Sequence, residues 1–258
     1  MDKSLKRYQL FGWDYELINP LMEKELNWYV KFARELGGPI LELACGTGRL
    51  LVEIARLGFD IEGIDLSKGM IEIAEKHISK LSPEIKDRIR LHNSDMTDFQ
   101  FQRKFKLIFI ADNSFAELQT KEKQLSCLKS VYNHLLPQGK LLVTVRRFNP
   151  KEFVNGEKVA SWSEPFRNPK TGDSVQRKVE MKLVEDGKRI RGIISYKITY
   201  KDGKETIEEC PFESPVMLTG DYLILFSEAG FSTKVFVGYE EKEENGKDPI
   251  LCFVGEKV

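Results

Sequence analysis

The stretch ILELACGTGRL, residues 40–50, decides the fold. Its opening residues, apolar apart from Glu42, read as a short strand. Gly46 and Gly48 mark a turn, and apolar residues at 50, 51, 54 and 55 then line one face of a helix. Glycine lets such a turn adopt dihedrals barred to other residues and brings backbone close to a ligand. The amide N–H groups that open the helix face that ligand, a geometry suited to an anionic group or a carboxylate. A dinucleotide site asks for G-x-G-x-x-G, and Leu51 stands where the third glycine belongs. Glu42, two residues ahead of the turn, opposes a pyrophosphate but suits an ammonium. A ligand with both ammonium and carboxylate is an amino acid.

The same alternation continues outward. Residues 59–64 read as a second strand closed by Asp65, and Ser67 is placed to cap a helix with apolar positions 70, 71, 74, 78 and 81. Residues 88–92 form a third strand. Residues 106–111 (KLIFIA) form a fourth, nearly all apolar and so buried on both faces. A helix with apolar residues at 125, 128, 131, 132, 135 and 136 is expected to stop at Pro137 and Gly139, before a fifth strand at 141–145. Repeated β-α-β units give a parallel sheet with helices on both faces. After Pro150 the period changes to two. Residues 174–184, 189–200 and 206–212 are separated by Asp186-Gly187 and Asp202-Gly203, the signature of an antiparallel meander. A helix at 220–229 and strands at 233–239 and 249–255 close the chain, with EEKEENGKD between the strands read as a solvated tip. The first thirty-six residues read as two helices, whose aromatics, Tyr8, Phe11, Trp13, Tyr15, Trp28 and Tyr29 among them, pack onto the sheet.

Composition narrows the function. The 258 residues suit one core with an elaboration, and 41% apolar with 31% charged residues excludes a wholly disordered chain. Forty Lys+Arg balance forty Asp+Glu, so no global field favours nucleic acid as the main ligand. Four cysteines at 45, 127, 210 and 252 form no C-x-x-C pair, and with three scattered histidines they suggest neither a disulfide framework nor a metal site. The start carries no apolar targeting segment and no apolar run approaches the length a bilayer needs. A soluble, reduced, cytoplasmic protein without a membrane partner is expected.

Residues 40–48 resemble motif I of the class I S-adenosylmethionine-dependent methyltransferases, (V/I/L)-(L/V)-(D/E)-x-x-x-G-x-G. IEGIDLS places Asp65 at the end of the second strand, 17 residues past Gly48, where that family's acid binds the ribose hydroxyls. One carboxylate can accept bonds from both hydroxyls. SDMTDF resembles the segment after the third strand, where Asp95 would meet the adenine amino group and Met96 would cover the ring. FIADNSF resembles motif IV, and LLPQGKLLV the segment before the fifth strand. The likeness covers about residues 36–147. It implies a doubly wound, mostly parallel seven-stranded α/β sheet, an S-adenosylmethionine site, S-adenosylhomocysteine as product, and methyl transfer to N or O of a small molecule. The N-P-P-Y type sequence of nucleic-acid amino-methylating enzymes is absent after the fourth strand, where the chain reads Asp112-Asn113-Ser114-Phe115.

The resemblance implies a donor site built from Glu42, Ala44, Cys45, Gly46, Thr47, Gly48, Asp65, Leu66, Met70, Asp95, Met96 and Ala111. Cys45 reads as a small residue that fits the turn rather than a redox group. Arg49 either holds a carboxylate or faces solvent. Asn113 and Glu117, past the fourth strand, lie where open α/β sheets bind ligands. With Tyr15 they are the catalytic candidates, and Tyr8, Trp13, Asn113, Arg146 and Trp162 the acceptor-binding ones. The three histidines read as packing or surface residues. Residues 1–36 are expected to form a helical cap, 37–150 with 216–258 the core, and 151–215 an inserted sheet that is a lid, a homodimer interface or both. In-line displacement from a sulfonium needs no metal, and a base only if the acceptor is a hydroxyl. Two other readings share the scaffold: a non-catalytic protein that binds the donor, and a nicotinamide-dependent oxidoreductase, against which the missing third glycine argues.

Overall fold

The computed structural model describes residues 7–8 and 12–257, apart from the side chains of Trp13 and Ile18. Among these, helix α1 spans Glu23–Leu36, strand β1 Ile40–Leu43, α2 Arg49–Arg56, β2 Ile61–Asp65, α3 Lys68–Ser79, β3 Ile89–Asn93, β4 Phe105–Ile110, α4 Lys121–His134 and β5 Leu135–Arg146. Then come β6 (Glu157–Val159), β7 (Phe166–Arg167), β8 (Ser174–Val184), β9 (Arg189–Thr199) and β10 (Glu205–Pro215). Helix α5 (Thr219–Glu228), β11 (Phe231–Val237), β12 (Glu240–Glu243) and β13 (Ile250–Lys257) follow. Ahead of α1, residues 12–14 and 15–18 form only short helical turns, so one full helix is described where two are expected.

The chain divides into two compact units. The larger, Glu16–Phe148 with Met217–Val258, holds a sheet in the order β12-β11-β13-β5-β4-β1-β2-β3. Strands β1 to β5 pair in parallel, while β13 enters antiparallel between β5 and β11. The seven expected strands are joined by an eighth: the run read as a solvated tip contributes β12, which pairs with β11. Lys24 and Lys31 of α1 form ion pairs with Glu240 and Glu241 there, so its acids are engaged from a neighbouring helix.

Side-chain alternation explains the two helical layers. Leu107 and Phe109 of β4 join Trp28, Tyr29, Leu50, Leu51 and Ile54 on one face. Ile108 and Ile110 join Leu128, Val131, Leu225 and Phe226 on the other. Helix α4 stops at His134, earlier than Pro137. Proline pushes its predecessor Leu136 toward extended backbone, and Leu135 is already extended, at φ −81° and ψ 138°. Residues 135–140 therefore open β5, and its pairing with β4 shifts register between Phe105 and Leu107. Ser67 caps α3 as expected, its hydroxyl accepting from the Met70 N–H.

One buried bond ties α1 to the sheet: Tyr29 Oη and Thr144 Oγ1 lie 2.8 Å apart. Both side chains are almost wholly buried. Tyr29→Phe leaves the Thr144 hydroxyl without its partner and is expected to cost about 1–3 kcal/mol. A lower urea midpoint at unchanged m-value is the expected readout.

The smaller unit joins the described residues up to Tyr15 with Asn149–Val216. Its sheet runs β10-β9-β8-β6, with β7 also on β8. The meander expected from the two Asp-Gly turns is present, and Val175, Ile194, Tyr196 and Cys210 form its core.

Candidate functional site

The carboxyl ends of β4, β1, β2 and β3 lie side by side, and they collect the sequence-identified donor residues along one edge. Three non-glycine residues near it adopt positive φ. Ala44 (φ 55°), Asp112 (φ 46°) and Asn113 (φ 66°) all sit in the left-handed region, with Gly46 (φ 55°) and Gly48 (φ 79°) in the turn itself. Non-glycine residues in this region cost free energy and cluster at ligand sites. The turn is closed by Cys45 N–H donating to Ile64 O (2.9 Å) and Gly48 N–H donating to Cys45 O (2.9 Å).

Asp65 is the clamp of this edge. Its Oδ2 accepts the Gly46 N–H and its Oδ1 the Ser67 N–H, both at 2.8 Å. Burial pushes its carboxyl above the usual range, the two amides pull it back, and Glu117 adds a push upward. Each oxygen keeps a lone pair for a further donor. Asn93 donates to the carbonyls of Asp65 (2.8 Å) and Leu66 (3.0 Å), holding β2 and β3 together at this point.

Glu42 is buried on β1 and its Oε2 has no hydrogen-bond partner. Burial drives its carboxyl well above the usual range, opposed by Arg49 and the Leu51 amide and reinforced by Glu25 and Asp65. The Thr47 hydroxyl is likewise buried without a partner. An unsatisfied buried group costs about 1–3 kcal/mol, and two of them beside one glycine turn are an invitation to a polar ligand. Arg49 neither faces solvent nor stands open for a carboxylate. It makes a bidentate pair with Glu25 of α1 at 2.8 and 2.9 Å and approaches Asp112 at 3.5 Å.

The remaining candidate donor residues have distinct places. Cys45 and Met70 are buried, and burial pushes the Cys45 thiol well up, which fits a packing residue. Leu66 is exposed, and Ala111 is buried just past β4. Asp95 is exposed, its Oδ1 accepting from the Thr97 N–H and hydroxyl at 2.8 Å each. Met96 packs partly buried against the core. Asn113 Oδ1 accepts the Arg146 N–H (2.8 Å), so this side chain stitches the ends of β4 and β5. Glu117 and Arg146 are exposed. Arg147 is drawn off by the Asp248 carbonyl (2.7 Å) and an ion pair with Glu244.

Tyr8, Tyr15 and Trp162 belong to the smaller unit, Tyr8 and Tyr15 half-buried and Trp162 37% exposed. The Trp13 side chain lies outside the described residues. That unit holds a buried group the sequence reading passed over: Asp14, 1% exposed, with Arg7, Arg177 and Tyr196 as its charged and phenolic neighbours. The histidines pair locally: His77 with Glu16, His92 with Glu62, and His134 with the Phe101 N–H. Among the described residues no three His, Cys, Asp or Glu are grouped to hold a metal, and no helix is long and apolar enough to cross a membrane.

Glu25, Gly63 and Asn93 also escaped the sequence reading. Glu25 had a visible signal, an acid on the apolar stripe that continues through Trp28, Tyr29 and Phe32. Gly63 had one too, a glycine in a strand interior, which marks close approach.

Residues 40–139 match the family described as a methyltransferase domain. A putative methyltransferase, YqeM, of Bacillus subtilis (strain 168) is 37% identical over 109 residues, 42% of each chain. The dTDP-3-amino-3,6-dideoxy-alpha-D-glucopyranose N,N-dimethyltransferase of Streptomyces fradiae is 27% identical over 199 residues, 77% of this chain and 72% of that one. The chain spans about half the length of most relatives it matches. The crystal structure of an S-adenosylmethionine-dependent methyltransferase from Clostridium acetobutylicum ATCC 824 superposes with TM-score 0.74 at 19% identity, covering 95% of this chain and 96% of that one. Residues 40–139 are therefore similar to a methyltransferase domain, and the chain shares the fold of the S-adenosylmethionine-dependent methyltransferase from Clostridium acetobutylicum.

Proposed function

We propose that this chain transfers a methyl group from S-adenosylmethionine to a nitrogen or oxygen nucleophile of a small molecule. The observation that carries the reading is the buried Glu42 oxygen without a partner, beside a glycine turn whose neighbour Asp65 keeps free lone pairs. The donor needs an acid for its ammonium, polar groups for its carboxylate and an acid for its ribose hydroxyls, and this edge offers all three. Glu42 and Thr47 would hold the amino-acid end, and Gly46 and Gly48 would permit close approach. Asp65 would accept from the ribose, and Asp95, Met96, Leu66, Met70 and Ala111 would frame the nucleoside.

The donor supplies a methyl group already activated on a sulfonium. The protein's part is to bind, orient and exclude water. An amine acceptor needs only to arrive unprotonated, so no base is assigned; Asn113, Glu117 and Tyr15 remain acceptor-side candidates. The sugar N,N-dimethyltransferase among the relatives supports an amino-bearing acceptor. The sheet of Asn149–Val216, with Tyr8 and Trp162, is the part of the chain suited to recognise that acceptor, to cover it, or to pair two copies. A cytoplasmic setting fits such chemistry.

Incubation with donor and a panel of small amines, amino sugars and phenols, read by mass spectrometry, tests the proposal. One added methyl on an acceptor is expected, at an unchanged rate after chelator treatment. Donor binding without turnover on any acceptor would favour a sensor, and tight nicotinamide-dinucleotide binding without donor binding would overturn the reading.

A further inference from the structure

The acidic cluster behind the glycine turn contains one arginine and more carboxylates than that arginine can neutralise. Arg49, at the first position of α2, lies near Glu42 of β1, Glu25 of α1 and Asp112 after β4. Its two terminal nitrogens are both bonded to Glu25, at 2.8 and 2.9 Å, and both side chains are almost out of solvent, 10% and 3% exposed. Glu42 Oε2, in the same cluster, is left without a partner. Left to electrostatics alone, a buried arginine between two buried carboxylates would divide its donors between them. The fork geometry of a guanidinium instead rewards one bidentate partner.

We propose that Glu25 is a positioning residue: by holding Arg49 in a bidentate pair it keeps Arg49 from Glu42 and reserves Glu42 for the ammonium of the donor. This rests on the donor-binding reading above. Glu25 lies outside residues 40–139, on a helix that reaches the glycine turn only through tertiary packing.

The groups that act on Glu42 are Arg49 and the Leu51 amide, which favour its charge, and Glu25 and Asp65, which oppose it; Cys45 is buried beside it and neutral. With Arg49 paired to Glu25 and 3.5 Å from Asp112, burial dominates and holds the Glu42 carboxyl well above its usual range. An ammonium favours the ionised carboxyl, so acidification works against donor binding and donor affinity is expected to rise with pH toward neutrality. If Arg49 were freed, it would favour the charge of Glu42 and compete for the oxygen the ammonium requires.

The test is calorimetry of S-adenosylhomocysteine and of its desamino analogue on the full chain. Three proteins are compared between about pH 5.5 and 7, where an α-ammonium stays charged: the wild type, Glu25→Gln, and Glu25→Gln with Arg49→Met. For the wild type, tighter binding of S-adenosylhomocysteine than of the desamino analogue is expected, with affinity rising with pH. Glu25→Gln is expected to lose about tenfold or more for S-adenosylhomocysteine, the worth of a charged hydrogen bond. It should lose little for the analogue, and its pH dependence should flatten. The double variant removes the competing cation and should recover to within about threefold of wild type, with the pH dependence restored.

A merely structural role for Glu25 predicts that Glu25→Gln weakens both ligands alike, because an unpaired buried Arg49 disturbs the turn whatever the ligand carries, and equal losses would overturn the proposal. A Glu25→Gln protein with wild-type affinity and pH profile, or a double variant as weak as the single one, overturns the proposal. If Glu25→Gln does not fold, the double variant leaves no unpaired buried charge and decides alone. Retained preference for the amino-bearing ligand supports the proposal and its loss overturns it. A wild type that binds neither ligand refutes the donor site itself and is distinct from all of these outcomes.

Discussion

Asp65→Ala is expected to weaken S-adenosylhomocysteine binding by about 1.5–3 kcal/mol, or ~10- to 150-fold, the loss of charged hydrogen bonds to the ribose. The structure adds a second effect. Both Asp65 oxygens already hold backbone amides, Gly46 N–H in the glycine turn and Ser67 N–H at the start of α3. Removing the carboxylate frees both, so the ligand-free protein should also melt at a lower temperature. Asp65→Asn separates the contributions. It keeps one acceptor for one amide but presents an NH2 to the other, and it carries no charge for the ribose hydroxyls. Calorimetry gives the affinity and a melting curve the stability. If the affinity is unchanged while the melting temperature falls, Asp65 is the clamp of the turn and nothing more.

Gly63→Ala is expected to destabilise the fold with no loss of ligand-facing chemistry. A Cβ at Gly63 would stand 2.5 Å from Leu51 Cδ1, 2.9 Å from Cys45 Sγ and 3.1 Å from Cys45 Cβ. Leu51 is fully buried and Cys45 nearly so, so relieving the clash requires both side chains to shift within the core. Overpacking of this kind costs about 1–3 kcal/mol, a melting-temperature drop of about 2–4 °C per kcal/mol for a chain of this size. The partner variant Leu51→Ala costs about 2–5 kcal/mol by itself through the cavity it leaves. Together the two should cost less than their sum, with a coupling of about 0.5–3 kcal/mol. Additive costs would mean that the crowding is relieved elsewhere.

Gly63 also changes the argument about ligand class. The third glycine of the dinucleotide fingerprint serves close packing of helix on strand. Here Leu51 occupies that position, and the clearance comes from Gly63 on the facing strand instead. The missing third glycine therefore says little about the ligand. Glu42 says more, because a buried acid behind the turn opposes a pyrophosphate and welcomes an ammonium.

Much of this protein was legible in its sequence because the signals are local. Strand-turn-helix at residues 40–50, the cap at Ser67, the nearly all-apolar β4 and the two Asp-Gly hairpins each depend on residues within a few positions of one another. Periodicity reports such features faithfully, since backbone geometry alone dictates which residues share a face. Where a local rule competed with a pairing partner, the sequence reading failed. The apolar stripe of α4 continues into Leu135 and Leu136, yet sheet pairing and Pro137 take them into β5. The acidic run 240–244 is largely exposed, as its charge suggests, yet it also pairs with β11 as β12 and forms ion pairs with Lys24 and Lys31 of α1 and with Arg147.

The site divides the same way. That Glu42, Gly46, Gly48 and Asp65 meet at one sheet edge was legible because the turn that joins them to the sheet is encoded where they stand. What those residues are free to do was decided by tertiary structure. Arg49 is spent on Glu25, Asn113 on the Arg146 amide and Arg147 on the β11–β13 hairpin. Those pairings bridge 24, 33 and 101 residues of sequence. A hydrogen-bonding group's partner is set by which surfaces the folded layers press together, and no spacing along the chain records that.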